Sequence, residues 1–398
     1  MPYRTKVTLV YLLGFTLDLL NMFALNAAYP ALGQELHASV AQLSWSSNLY
    51  MLGLTLVIPL GTWLATRLGE RQTLMLSLAL FGLGSALAGS AGSIDSLLVW
   101  RLLQGLGGGL LIPVGQAMAY RLYAPEQRHH LTSLVMMVAL LVPALSPALG
   151  GVVVDQGSWR WIFFAMLPLS LITLALVLAW LPANPPLPAP QPMLELRLLG
   201  QPLLRTAMLI YLCVPSVFIG ANLVAALYLQ QRLGLSATAT GALMLPWSVG
   251  ALAAIAWGRW RFNLSGPKRL LIAGMLIQGA ALVWLALPSV AGHQAWLALI
   301  FALLGMGSSL CSSSAQSLAF LAIAPAQMGQ ASALWNLNRQ LSFCLGVAVL
   351  GAVLNRLLPD DQAFRHTFIL AALLTLIPLP LVLKLPGARG LGLTTTPT

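Results

Sequence analysis

Asp18 lies near the middle of the apolar stretch 7–29, while the other eight acidic residues (Glu35, Glu70, Asp95, Glu126, Asp155, Glu195, Asp360 and Asp361) fall between such stretches or at their ends. An ionised carboxylate at the centre of a bilayer costs roughly 2.5–3.5 kcal/mol on insertion scales. Such a group faces a wet cavity, pairs with a cation, or keeps its proton at neutral pH. A carboxyl that takes a proton from one side and yields it to the other is what proton coupling requires. The alternative is a hydrogen bond between helices with no turnover. Asn21 follows one turn later on the same helix face, so LDLLNMFALNAAYP aligns a carboxyl and a carboxamide along one stripe.

A second group of polar residues sits in RLLQGLGGGLLIPVGQ, where Arg101 and Gln104 stack one turn apart and Gly105, Gly107, Gly108 and Gly109 allow close backbone approach. Buried arginine keeps its charge, so Arg101 either stabilises an ionised acid, binds an anionic group, or secures helix packing through carbonyls. Pro143, Pro147, Gly150 and Gly151 crowd VPALSPALGGVVV, a pattern that kinks a helix and lets neighbours slide, with or without a gating role. Farther on, ALWNLNRQLSFCLG gathers Asn336, Asn338, Arg339 and Gln340, which would be costly facing lipid and are expected to line a cavity or contact another helix. The serines of SSLCSSSAQS are equally compatible with bonds to their own helix. Asn222 and Trp247 complete the candidate cargo contacts, although tryptophans more often pack or anchor at the interface.

The composition says what must hold these residues. AVILMFWYC make up 59% of 398 residues and charged residues only 7%, too few charges to cover water-soluble globules. Disorder is excluded by the same apolar excess. The net charge of +11 does not make a nucleic-acid binder, because the 20 Lys and Arg are scattered without a basic stripe. Cys213, Cys311 and Cys344 lack metal-ligand spacing. On a ruler of about 20 apolar residues per crossing, spans are expected at 7–29, 45–65, 73–93, 96–118, 131–153, 160–182, 207–229, 236–258, 269–289, 295–318, 331–355 and 367–386. The first is expected to be retained rather than cleaved as a signal peptide. Seven prolines between Pro182 and Pro202 mark a linker. The expected division is an N-terminal six-helix bundle at 1–182, a cytoplasmic linker at 183–206, a C-terminal bundle at 207–386 and a tail at 387–398. One side of these spans carries fourteen Lys and Arg, including Arg67 and Arg71, and the other only Arg160, Arg232, Arg356 and Arg365. The positive-inside rule then places both termini in the cytoplasm.

Two six-helix halves joined by a linker resemble the major facilitator transporters, whose substrate site lies between the halves near the bilayer midplane. RLLQGLGGG (Arg101–Gly109), SPALGG (Ser146–Gly151), SWRWIFFAMLP (Ser158–Pro168) and YLQQRLGLSATATGALMLPWSVG (Tyr228–Gly250) are similar to motifs of that superfamily's drug:proton antiporters. The likeness runs roughly from Gly14 to Gly351 and is greatest to the branch usually built with fourteen spans, here with twelve. It implies a link between Arg101 and proton transfer and an antiporter role for the span-five motif. WLATRLGER (Trp63–Arg71) resembles the signature loop after span two, with Arg67 and Arg71 as latch residues. Thr62 and Thr66 replace its first glycine and its aspartate. NAAYP (Asn26–Pro30) aligns so that Asn21 stands where the branch has its membrane aspartate, with Asp18 one turn earlier.

The sequence thus predicts an all-α polytopic protein of the bacterial inner membrane, monomeric, with the major facilitator fold. Its expected activity is proton-coupled antiport that exports a drug-like compound or metabolite by alternating access. Asp18 and Arg101 would couple the proton, and Asn21, Gln104, Asn222, Trp247, Asn336, Arg339 and Gln340 would meet cargo. Two arginines against one acid favour anionic or zwitterionic cargo, such as a siderophore, over permanently cationic drugs. Proton-coupled uptake uses the same parts. No enzyme is expected, since no nucleophile–base pair or metal cluster is present, and no cofactor beyond the proton gradient is called for.

Overall fold

A computed structural model describes residues 1–38, 40–183, 194–235, 237–287, 293–357 and 360–388, and every regular element among them is a helix. Residues 184–193, the core of the expected linker, and residues 389–398 of the expected tail lie outside the described residues. The helices are α1 (Tyr3–Ala24), α2 (Tyr29–Glu35), α3 (Val40–Leu68), α4 (Glu70–Gly89), α5 (Ile94–Arg121), α6 (Arg128–Gln156), α7 (Arg160–Phe164) and α8 (Met166–Trp180). They continue as α9 (Pro202–Cys213), α10 (Pro215–Leu227), α11 (Ala237–Met244), α12 (Pro246–Leu285), α13 (Gln294–Leu321), α14 (Met328–Leu357), α15 (Ala363–Leu376) and α16 (Leu379–Leu383).

Ten helical stretches among the described residues are long and apolar enough to cross a bilayer. The remaining two expected spans correspond to α6, at 29 residues, and to the shorter apolar stretch Ala242–Gly258. Helices dominate because hydrocarbon offers no partner for a backbone N–H or C=O. Where a span is broken, a proline stands at the break. Pro168, Pro215, Pro246 and Pro378 lack the N–H that would reach the carbonyl four residues back, and α7–α8, α9–α10, α11–α12 and α15–α16 part there. The first span ends earlier than expected, at Ala24. Residues Leu25–Ala28 tighten into a 3₁₀ turn before α2. In α12 the two expected spans run on as 40 helical residues broken at Gly266, whose φ of 73° precedes Pro267. Gly69 (φ 89°) makes the matching turn between α3 and α4. Both turns need a backbone conformation that residues with a Cβ rarely adopt.

The chain forms two compact units. Unit 1 is Met1–Tyr123, Val138–Leu196 and Ile323–Leu337; unit 2 is Ala124–Met137, Arg197–Ala322 and Asn338–Thr398. The first turns of α6 therefore count with unit 2, and those of α14 with unit 1. Within unit 1 the connections sort to two ends, as six alternating spans demand. At one end Arg160 contacts Glu35 and donates to the Ala91 carbonyl at 3.1 Å. At the other, Arg121 pairs with Glu70, and Arg71 donates to the Leu178 carbonyl at 2.9 Å. Unit 2 repeats the pattern, with Arg232–Asp361 at 2.9 Å at one end and Lys268 on the Leu383 carbonyl at 2.6 Å at the other.

Glycines set the packing inside each unit. A Cβ on Gly105 of α5 would overlap the Tyr50 carbonyl of α3, and one on Gly107 would overlap the Phe81 backbone of α4. In unit 2, Gly305 of α13 meets the Trp247 carbonyl of α12 in the same way.

Candidate functional site

Unit 1 brings four of the expected residues into one buried cluster. Asp18 and Asn21 come from α1, and Arg101 and Gln104 from α5. They share one face because each pair is spaced one helical turn apart. The α3 helix supplies two residues that the sequence reading missed, Ser46 and Tyr50, also a turn apart. The glycines of α5 let α3 approach closely enough to deliver them. Asp18 is 4% exposed, and Asn21, Tyr50, Arg101 and Gln104 are fully buried.

The Tyr50 hydroxyl donates to Asp18 Oδ1. Gly108 sits beside this pair, where a Cβ would lie 3.0 Å from the hydroxyl and 3.6 Å from the carboxylate. Arg101 uses its planar fork on neutral oxygens from three helices. Its Nη1 donates to Asn21 Oδ1 at 3.0 Å and to Gln104 Oε1 at 2.7 Å, and its Nε to the Ser46 carbonyl at 3.1 Å. Its guanidinium carbon also lies 4.4 Å from the Tyr50 ring centroid and 5.8 Å from that of Phe163. Gln104 is oriented for this role, since its Nε2 donates to Ser85 Oγ at 2.7 Å, and Ser85 in turn donates to the Phe81 carbonyl at 2.8 Å. The charge of Arg101 is thus solvated by oriented dipoles and ring faces.

Asn336 also belongs to unit 1. Its Nδ2 donates to Gln116 Oε1 of α5 at 2.6 Å, where the Ser332 hydroxyl donates too at 3.1 Å. Gln116 was not singled out from sequence, although it lies three turns beyond Gln104.

The other expected cargo contacts lie in unit 2. Asn222 donates to the Phe218 carbonyl of its own helix at 2.9 Å, the helix-internal arrangement. Trp247 packs against Phe218, ring centroids 5.8 Å apart, within the apolar core of that unit. Gln340 is buried. Arg339 is half-buried and close enough to Tyr211 to act on it electrostatically, and Tyr211 hydrogen-bonds Ser312. Neighbouring Asn338 donates to the Met208 carbonyl at 3.2 Å.

Of the expected gating residues, Gly150 of α6 abuts α1, where a Cβ would lie 2.6 Å from the Ala24 carbonyl. Pro143 is half-buried on the same helix. The side-chain surroundings of Pro147 and Gly151 lie outside the described residues. Arg67 is exposed and stacks 5.0 Å over Trp63, while Arg71 holds the end of α8. Thr66, at the position the signature loop gives to an aspartate, donates to the Trp63 carbonyl at 2.8 Å. Glu35, at the end of α2, anchors a clamp outside the membrane. Glu35 accepts from Arg160 and, at 2.7 Å, from the Trp159 indole. The Arg160 hydrogen bond holds its carboxyl below the ordinary glutamate range, against an opposing effect of burial and with help from the Trp159 hydrogen bond.

Residues 11–347 match the Major Facilitator Superfamily. The multidrug resistance protein B homolog of Mycobacterium tuberculosis is 26% identical over 83% of this chain and 71% of its own length. MdtD of Salmonella paratyphi B, named for multidrug resistance, is 26% identical over 92% of this chain and 91% of its own. The human organic anion transporter MFSD10 has the same fold, with a TM-score of 0.79 at 18% identity over 96% of this chain and all of its own. With its helical spans, this chain belongs to the Major Facilitator Superfamily, and is accordingly a multi-pass membrane transporter of small molecules rather than an enzyme.

Proposed function

We propose that the protein exports a small drug-like organic molecule from the cytoplasm in exchange for protons, with Asp18 as the proton carrier. The observation that carries this reading is the pairing of a mid-membrane carboxyl with the Tyr50 hydroxyl, beside an arginine held by neutral acceptors. Asp18 is thereby a titratable group in a membrane interior where each change of protonation alters the local charge by one unit. Both bacterial relatives named above carry multidrug resistance in their names, which favours efflux and a place in the inner membrane. The excess of Lys and Arg on one side supports cytoplasmic termini.

The contacts of Arg101 bear on cargo charge. Asn21, Gln104 and Ser46 hold Nη1 and Nε of its guanidinium, and the Tyr50 and Phe163 rings lie beside it, while Arg339 in unit 2 is a second cation that an anionic or zwitterionic metabolite such as a siderophore could use. The names of the relatives favour a drug-like cargo.

The test is transport of ethidium in proteoliposomes of known protein orientation under an imposed pH gradient. The parent should move ethidium against proton flow, and Asp18→Asn should lose gradient-driven flux while keeping the parent's melting temperature. Flux in Asp18→Asn that still follows the gradient removes Asp18 from the mechanism. Movement of cargo with the proton identifies an uptake symporter.

A further inference from the structure

We propose that Tyr50 is a positioning residue that transmits the protonation state of Asp18 to Arg101. The proposal rests on the reading of Asp18 as the proton carrier. Tyr50 comes from α3, between the acid on α1 and the base on α5, and touches both. Its hydroxyl donates to Asp18 Oδ1, and its ring face carries the Arg101 guanidinium at 4.4 Å. Asn21 of α1, the next polar group along the acid's own helix, is neutral and accepts from Arg101 at 3.0 Å. The other ionisable residues of α4, α6, α7 and α8, namely Glu70, Arg71, Arg128, His129, His130, Asp155 and Arg160, sit at helix ends. The titratable and charged groups joined by these contacts are Asp18, Tyr50 and Arg101; buried Tyr11, two turns earlier on α1, packs against Gly115 of α5.

The physical link is polarisation along the chain Asp18, Tyr50, Arg101. When Asp18 is ionised, the phenol O–H is drawn toward the carboxylate and the ring becomes more electron-rich. The ring then holds the guanidinium more strongly. When a proton from water binds a carboxylate oxygen, that pull is lost and the hold of α3 on α5 at this point slackens. Tyr50 keeps its own proton throughout, and the carboxyl is the only group to gain or release one. The geometry requires Gly105, because only without a Cβ there can the Tyr50 backbone sit against α5.

The experiment uses the purified full-length protein in detergent, and needs no cargo. The protonated carboxyl band is followed by infrared difference spectroscopy across pH in the parent, Asp18→Asn and Tyr50→Phe. The band present in the parent and missing from Asp18→Asn belongs to Asp18. Tyr50→Phe keeps the ring and its packing but withdraws the donor, so the titration midpoint of that band should move alkaline by about one pH unit, the scale of one hydrogen bond to a charged acceptor. In proteoliposomes the pH profile of ethidium flux should move by the same amount, a change that a purely structural tyrosine would not produce. An unchanged midpoint in Tyr50→Phe, with the Asp18 band intact, overturns the role of Tyr50 and leaves Asp18 standing. Identical carboxyl titrations in the parent and Asp18→Asn overturn the proton-carrier reading and, with it, this proposal.

Discussion

Arg101 shows how much of this site depends on the shape of one side chain. A guanidinium presents donors in a fixed fork, and here Nη1 and Nε reach oxygens on α1, α3 and α5 at 2.7–3.1 Å. Lysine keeps the charge but is a compact point donor on a flexible stem, and it cannot satisfy the three together. Arg101→Lys should therefore lose at least two charge-assisted bonds, about 3 kcal/mol, and melt well below the parent in detergent. A Lys variant with the parent's melting temperature would mean the fork contributes nothing. The residues legible in the sequence were those whose type is expensive in hydrocarbon, Asp18, Asn21, Arg101 and Gln104. Tyr50 and Ser46 were not, because tyrosine and serine bury at modest cost in any helix and their type alone raises no alarm. Asn222 illustrates the opposite case: a conspicuous amide in a span whose nitrogen simply bonds the carbonyl one turn back.

At the scale of elements, α3 and α5 touch backbone to backbone, and a single methyl group measures that contact. Gly105→Ala would drive a Cβ into the Tyr50 carbonyl, which cannot rotate away, whereas Gly92 in the turn between α4 and α5 has nothing within 4 Å of an added Cβ. Overpacking of this kind costs about 1–3 kcal/mol. Thermal unfolding should place Gly105→Ala clearly below the parent and Gly92→Ala level with it; equal losses would mean that the methyl contact is not the cause. The Glu35 clamp makes a pH-dependent counterpart. Because its carboxyl is held low by Arg160, its stabilisation is complete above the ordinary glutamate range and is lost as pH falls through the lowered value. The melting-temperature gap between the parent and Glu35→Gln should be present at neutral pH and close in acid. A gap that persists in strong acid would exclude the ion pair as its source. Helix existence was readable from hydropathy, but helix ends were not. Residues Leu25–Ala28 carry neither glycine nor proline to mark a break, and only the backbone reveals the 3₁₀ turn.

For the whole molecule, spans could be counted because apolar length alone identifies a crossing, and the prolines that break four of them were visible as residues. The partition into units was less visible. Residues 124–137 and 323–337 contain the connections APEQ and APAQ, and nothing in either sequence says which unit their side chains will join. Orientation is a separate matter, decided by charge rather than packing. Loops holding Glu35, Ala91 and Arg160 share one end of unit 1, and those holding Glu70, Arg121 and Leu178 share the other. The second end belongs to the side with fourteen Lys and Arg, and moving those charges outward during insertion is disfavoured. Gly92 at the first end and Gly200 near the linker are both exposed, and each has room for a Cβ, so both accept cysteine without disturbance. In a background with Cys213, Cys311 and Cys344 replaced by Ala, a membrane-impermeant maleimide should label Gly92→Cys on intact spheroplasts, whose outer membrane has been removed. Gly200→Cys should react only after the inner membrane is opened. The reverse pattern would invert the molecule, and a proton entering from outside would then meet the Asp18 network from the end predicted to face the cytoplasm.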